Sequence, residues 1–189
     1  MTSRRAAFMT VAALMVAAAS ALLMFAWPRL VAGPPATHAG APAAAPPGLG
    51  RTIKARLFYV SDDGTRLRSV EREVPYAEGP EQAREIVNAQ IAPVAEPLLS
   101  AVPAGTVLRA VYVTERGDAY VDLSSEAVTA HPGGTLNELL TVYTIVDALT
   151  VNLPGVQSVQ ILIDGKEVAT LAGHVDLRQP LAKNLGLVQ

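Results

Sequence analysis

The longest unbroken apolar stretch lies at the start of the chain. Ala6 to Trp27 reads AAFMTVAALMVAAASALLMFAW, 22 residues without a charge. As a helix it spans ~33 Å, enough for a hydrocarbon core of ~30 Å. Arg4 and Arg5 precede it, and no acidic residue occurs before Asp62. This predicts a cytoplasmic N-terminus (1–5), a signal-anchor transmembrane helix over 6–28 and an exported remainder. The same run admits a cleaved signal peptide, with Thr37-His38-Ala39 as a tolerable cleavage site. Ala32 to Gly50 (AGPPATHAGAPAAAPPGLG) has almost nothing to bury, so 29–51 reads as a semi-extended Pro/Ala-rich linker.

Beyond it the pattern becomes that of a packed domain. Ile53 to Val60 alternates, with Ile53, Ala55, Leu57 and Tyr59 on one strand face. Asp62-Asp63-Gly64 signals a turn, and Leu67, Val70 and Val74 mark a returning strand. Pro80 opens a helix whose apolar stripe is Ala83, Ile86, Val87 and Ile91. Val107–Thr114 and Ala119–Leu123 read as a hairpin, with Ala119, Val121 and Leu123 inward and Tyr120 and Asp122 outward. Thr135 and Glu138 match a capping box at the head of the best-marked helix of the domain. Its buried face is expected to carry Leu136, Leu139, Leu140, Tyr143, Val146 and Leu149. Val156–Ile163 is a strand, Asp164-Gly165 a hairpin turn, and Lys166–Ala169 the returning strand. The order ββαββαββ predicts an α+β fold: a single small domain over 52–181 with a mainly antiparallel sheet and two helices on one face. Residues 182–189 read as a tail.

Composition narrows the function. Removing Arg4, Arg5 and Arg29 leaves 12 basic against 17 acidic residues. A balance of −5 argues against nucleic acid and against electrostatic docking on anionic lipid. Cysteine is absent, so the exported domain has no disulfide, lipid-anchor cysteine or thiol chemistry.

The ionisable residues do not assemble into a catalytic pattern. His131 reads as a loop residue, and Gly133-Gly134 as the turn into the long helix. His174 and Asp176 lie two apart, which alone makes no metal site. Glu138 and Asp147 are two and a half helical turns apart. Ser124-Ser125 has neither a nucleophile elbow nor a nearby base. No catalytic, metal-binding or cofactor-binding residue is expected, and no cofactor.

Several local patterns, taken in order, resemble the GerMN domain of bacterial sporulation and germination proteins. They are Pro103-Ala104-Gly105-Thr106; the strand Ala119 to Glu126; Gly133-Gly134 followed by Glu138, Tyr143-Thr144-Ile145-Val146 and Leu149-Thr150; Pro154-Gly155-Val156; Val159 to Glu167; and Leu171 to Asp176. With the opening strands and Pro75 the resemblance covers roughly 52–181. It implies an envelope-associated α+β module, likened to ring-building motifs, that acts through contacts with macromolecules. The chain differs from many members in lacking a lipobox cysteine and a second copy of the domain.

The expected role is therefore non-catalytic assembly at the cytoplasmic (inner) membrane, with a single pass and the domain on the periplasmic side. Its expected partners are other envelope proteins or cell-wall components, or a second copy. The candidate partner surface is the edge hairpin Asp164, Gly165, Lys166 and Glu167 with the adjoining His174. The alternatives are a peptidoglycan-acting enzyme, which needs a carboxylate pair or zinc, and a small-ligand sensor, which needs an apolar pocket. The orientation is directly testable. Protease added to cells with a permeable outer layer should remove the domain; protection of a membrane-bound domain would reverse the assignment.

Overall fold

The computed structural model describes residues 50–189. The expected transmembrane helix and the linker up to residue 49 lie outside the described residues. Among the described residues no helix is long and apolar enough to cross a membrane.

β1 (Thr52–Val60) and β2 (Leu67–Pro75) form a nine-residue antiparallel hairpin, in register from Thr52↔Pro75 to Val60↔Leu67. The expected alternation holds, with Ala55, Leu57 and Tyr59 fully buried. Phe58 has the opposite parity and is also fully buried, because helices cover the other face at that position, while Lys54 and Arg56 stay exposed. Asp63 organises the connecting turn. Its carboxylate accepts from Ser61 Oγ at 2.6 Å, Thr65 N at 3.0 Å and Thr65 Oγ1 at 2.8 Å. These bonds, Ser61 first, hold its pKa down at about 2.

The second edge of β1 faces no continuous strand, yet its polar groups are paired. Asn152 takes the N–H of Arg56 at 2.8 Å and donates to its carbonyl at 2.7 Å. Gln90 treats Phe58 the same way, at 2.8 and 2.7 Å, and Thr144 Oγ1 donates to the Phe58 carbonyl at 2.5 Å. Val60 N donates to Leu99 O at 2.8 Å. Two side-chain amides thus stand in for a neighbouring strand.

These amides come from the two long helices. α1 (Pro80–Ile91) starts with Pro and buries Gln82, Ala83, Ile86, Val87 and Gln90. β3 (Leu108–Val113) and β4 (Asp118–Leu123) form the expected hairpin, with an irregularity between Leu108 and Ala110. A one-turn helix, α2 (Glu126–Thr129), follows, and was not expected. α3 (Thr135–Asn152) is then the crossover to β5 (Ser158–Ile163), which pairs parallel with β4. β6 (Lys166–Glu167) and β7 (Leu181–Ala182) pair antiparallel with opposite ends of β5.

The α+β class therefore stands, and the sheet arrangement is corrected. Among the described residues there are two sheets, β1-β2 and the mixed sheet β3-β4-β5-β6 with β7 on β5. α1 touches β1, β2 and β3; α3 touches β1 and β5. Both helices contact both sheets, so they do not lie on one face of a single sheet. This is why α3 is buried around most of its circumference from Glu138 to Thr150, rather than along one stripe. Leu136, expected inside, is 41% exposed.

The ends of the elements are closed by backbone contact. Gly117 in the β3–β4 turn has φ +87°, and a Cβ there would sit 2.6 Å from Gly155 O. Only glycine lets the two turns meet, and Gln157 N donates to Gly117 O at 2.8 Å. The final residues pack onto the domain. After the 3₁₀ turn Leu185–Leu187, Val188 bridges Leu67, and Gln189 N donates to Leu67 O at 2.9 Å.

Replacing Gln90 with Met removes both amide bonds and leaves the buried Phe58 N–H unpaired. We expect a loss of about 2–3 kcal/mol in denaturant unfolding. Asn152→Ala, at a more exposed position, should cost about 1 kcal/mol.

Candidate contact surface

β4 and β5 are parallel, so their C-terminal ends lie at one end of the sheet, where α3 begins. The candidate residues gather there. Asp164 and Gly165 have φ values of 49° and 74°, the paired left-handed conformation of a two-residue hairpin turn. The turn is pinned from below. Asp122 Oδ1 accepts the Gly165 N–H at 2.7 Å. Arg109 lies 3.2 Å from Asp122 Oδ2 and 3.3 Å from Asp164 Oδ1, linking both carboxylates. Arg109 reaches them from the irregular position in β3. Asp122, expected outward, is in fact buried at 7% exposure. The turn and Arg109 cover it.

His174 is held by a second buried acid. Glu138 is fully buried in the first turn of α3. Its Oε1 accepts from Leu171 N at 2.8 Å and Ala172 N at 2.9 Å. Its Oε2 accepts from His174 N at 2.8 Å and from the His174 ring Nδ1–H at 3.2 Å. The capping-box expectation is therefore corrected. Gly134 is the N-cap, no side chain caps the helix, and Glu138 instead folds the 171–175 loop around itself. Burial pushes the Glu138 carboxyl upward. The N–H groups of Ala172, His174, Val175 and Leu171 outweigh it, and the net pKa lies below the usual value.

Asp147, on the same helix, goes the other way. Burial raises its pKa against the opposing Asn184 N–H (2.9 Å to Oδ1) and the charge of Lys183. Its Oδ2 is buried with no partner. His131 is a loop staple. Gly133 N donates to Nδ1 at 2.9 Å, which leaves the proton on Nε2, 3.1 Å from Thr141 Oγ1. Thr141 Oγ1 in turn donates a hydrogen bond to Ala101 O at 2.6 Å. Burial lowers the His131 pKa, partly offset by the Glu138 charge and a backbone bond at Asn137.

Lys166 and Glu167 are both exposed, and neither is ion-paired among the described residues. The His174 side chain is 40% exposed. Leu171, three residues before His174, is buried. His174 and Asp176 serve different partners: Asp176 is ion-paired with Arg178 at 2.7 Å, which holds its pKa at about 2. No group of three potential metal ligands converges among the described residues. Sequence reasoning missed Arg109 and Asp122 as supports. The only signal was an unlike charge pair placed on adjacent strands.

Residues 56–169 match the family model Germane, described as sporulation and spore germination. The chain belongs to the Germane family. Among solved structures, the Germane chain resembles a Clostridium perfringens protein described as a lipoprotein: 22% identity, TM-score 0.51, covering 71% of this chain and 90% of that one. It also resembles the tandem GerMN domains of the sporulation protein GerM from Bacillus subtilis, at 18% identity and TM-score 0.52, covering 70% of this chain and 46% of that one. These likenesses are of fold. No curated protein matches the chain.

Glu138→Gln would turn an NH₂ toward the His174 N–H or the Leu171 and Ala172 N–H groups, setting donor against donor. We expect a loss of about 2 kcal/mol at pH 7. Because the folded pKa of Glu138 is depressed, its stabilisation is complete above the unfolded value near 4.5 and is lost as pH falls below it. Urea midpoints from pH 7 to pH 3 should therefore fall less steeply in Glu138→Gln than in the parent.

Proposed function

We propose that this Germane domain is a non-catalytic contact module. The 6–28 segment holds it on the extracytoplasmic side of the inner membrane. There it joins other envelope proteins or cell-wall components through the Asp164–His174 region. The observation that carries this reading is how the ionisable groups at that end are used. Asp122 and Glu138 are engaged in holding backbone and Arg109 in pairing Asp122 and Asp164, whereas Lys166 and Glu167 are displayed, unpaired among the described residues, beside the turn these groups support. A pinned backbone under free charges favours recognition, since only the side chains remain to be ordered on binding. A general acid, base or nucleophile would need one of those groups to be available. Membership of a sporulation and germination family, and the lipoprotein description of the Clostridium perfringens neighbour, accord with an envelope address.

Crosslinking the full chain in its own membrane, followed by affinity capture, should recover a defined partner. Combining Lys166→Glu with Glu167→Lys should reduce that capture at least about tenfold. Thermal unfolding should stay nearly constant, because exposed substitutions cost under about 0.5 kcal/mol. Full capture by the folded variant would exclude this surface. Clearing of peptidoglycan by the purified chain on a zymogram would overturn the non-catalytic reading.

A further inference from the structure

A second site lies at the other end of the domain, where α3 ends and β4 and β5 begin. A groove of about 630 Å³ opens between the start of β1, the Tyr76–Pro80 segment, the end of β3 and the Leu153–Val156 loop. Its apolar lining is Ile53, Tyr76, Pro80, Val113, Leu153 and Val156. The volume suits a few side chains of an extended peptide. Two exposed carboxylates, Glu78 and Glu115, also line it, and neither is ion-paired with a cation among the described residues.

We propose that this groove binds an extended peptide segment of a partner in which an apolar side chain is followed by Lys or Arg. Charge complementarity selects the occupant. The nearby cation, Arg51, is already committed: its guanidinium lies 3.7 Å from the Tyr76 ring centroid, and its carbonyl accepts Tyr76 N–H at 3.0 Å. Arg51 keeps its charge over the ring, but the charged residues of the lining itself are Glu78 and Glu115, so two carboxylates face the groove against one neighbouring guanidinium, within a region carrying 12 basic and 17 acidic residues. An anion finds little here, although α1 begins at the rim. Pro80 has no N–H, the Gln82 N–H is bonded to Gly79 O, and Glu81 stands in the first turn. A sugar would find few donors, because the Gln82 amide is already bonded to Ala77 N and Pro75 O. The site is independent of the Asp164–His174 surface.

Gly155 supplies the test. It lines the groove, its backbone is not left-handed, and a Cβ there meets nothing within 4 Å. Gly155→Phe should therefore fill the groove without straining the fold. The probe is a fluorescein-labelled nonapeptide carrying two Leu-Lys pairs spaced by Gly and Pro; its control carries Leu-Glu pairs. Anisotropy is read with the full chain in mild detergent at low salt. We expect the Lys peptide to bind at least about tenfold more tightly than the Glu peptide, and less tightly as salt screens the carboxylates. Binding should be lost in Gly155→Phe and the preference reversed when Glu78→Lys and Glu115→Lys are combined, with unfolding midpoints unchanged in both. Equal affinity for the two peptides, no binding at millimolar peptide, or undiminished binding by a folded Gly155→Phe chain would overturn the proposal.

Discussion

The architecture depends on closing the second edge of β1. A strand with unpaired backbone groups in the interior is unstable unless each N–H and C=O finds a partner. β1 is buried on both faces over Leu57–Tyr59, so water cannot serve it there. Gln90 and Asn152 present the donor and acceptor of their amides side by side, as a strand residue would. Because the two amides belong to different helices, this pairing fixes both helices against one strand. The burial of Phe58 and the all-round burial of α3 follow from it.

α3 then carries two acids in its interior, with different outcomes. At Glu138 burial is answered by four converging donors, so the charge is retained and orders a loop. At Asp147 one N–H answers and one oxygen goes without, so burial prevails and the proton is held more tightly. What separates the two is how many donors the chain brings back. The 171–175 loop returns several to Glu138, whereas the C-terminal segment returns one to Asp147.

Much of this was legible in local pattern. β1 to β6, both long helices and the Asp-Gly hairpin follow from periodicity and turn chemistry, which short segments carry within themselves; β7, in what reads as the start of a tail, does not. The parallel pairing of β4 with β5 was not legible, because neither strand's alternation records its neighbour. The Thr135–Glu138 spacing is a true local match to a capping box. It was overruled by backbone donors more than thirty residues away, which no local motif can report. Asp122 was misread because alternation assigns a face, while burial also depends on what folds over that face. At the candidate surface the displayed residues were legible as turn and edge. The buried acids that support them were not, since their partners are distant in sequence.

The hydrogen bonds along β1 also determine how the domain answers to mechanical load. The chain enters the domain at Arg51, and β1 follows immediately. A pull along the axis of β1 from that end loads this strand first. The bonds to Asn152, Gln90 and Thr144 and the nine-residue ladder to β2 lie across that axis, so they are strained together in shear rather than opened one at a time. The strand joined to the N-terminal segment is thus fastened along both edges, and tension is passed into the helices before any single bond has to yield.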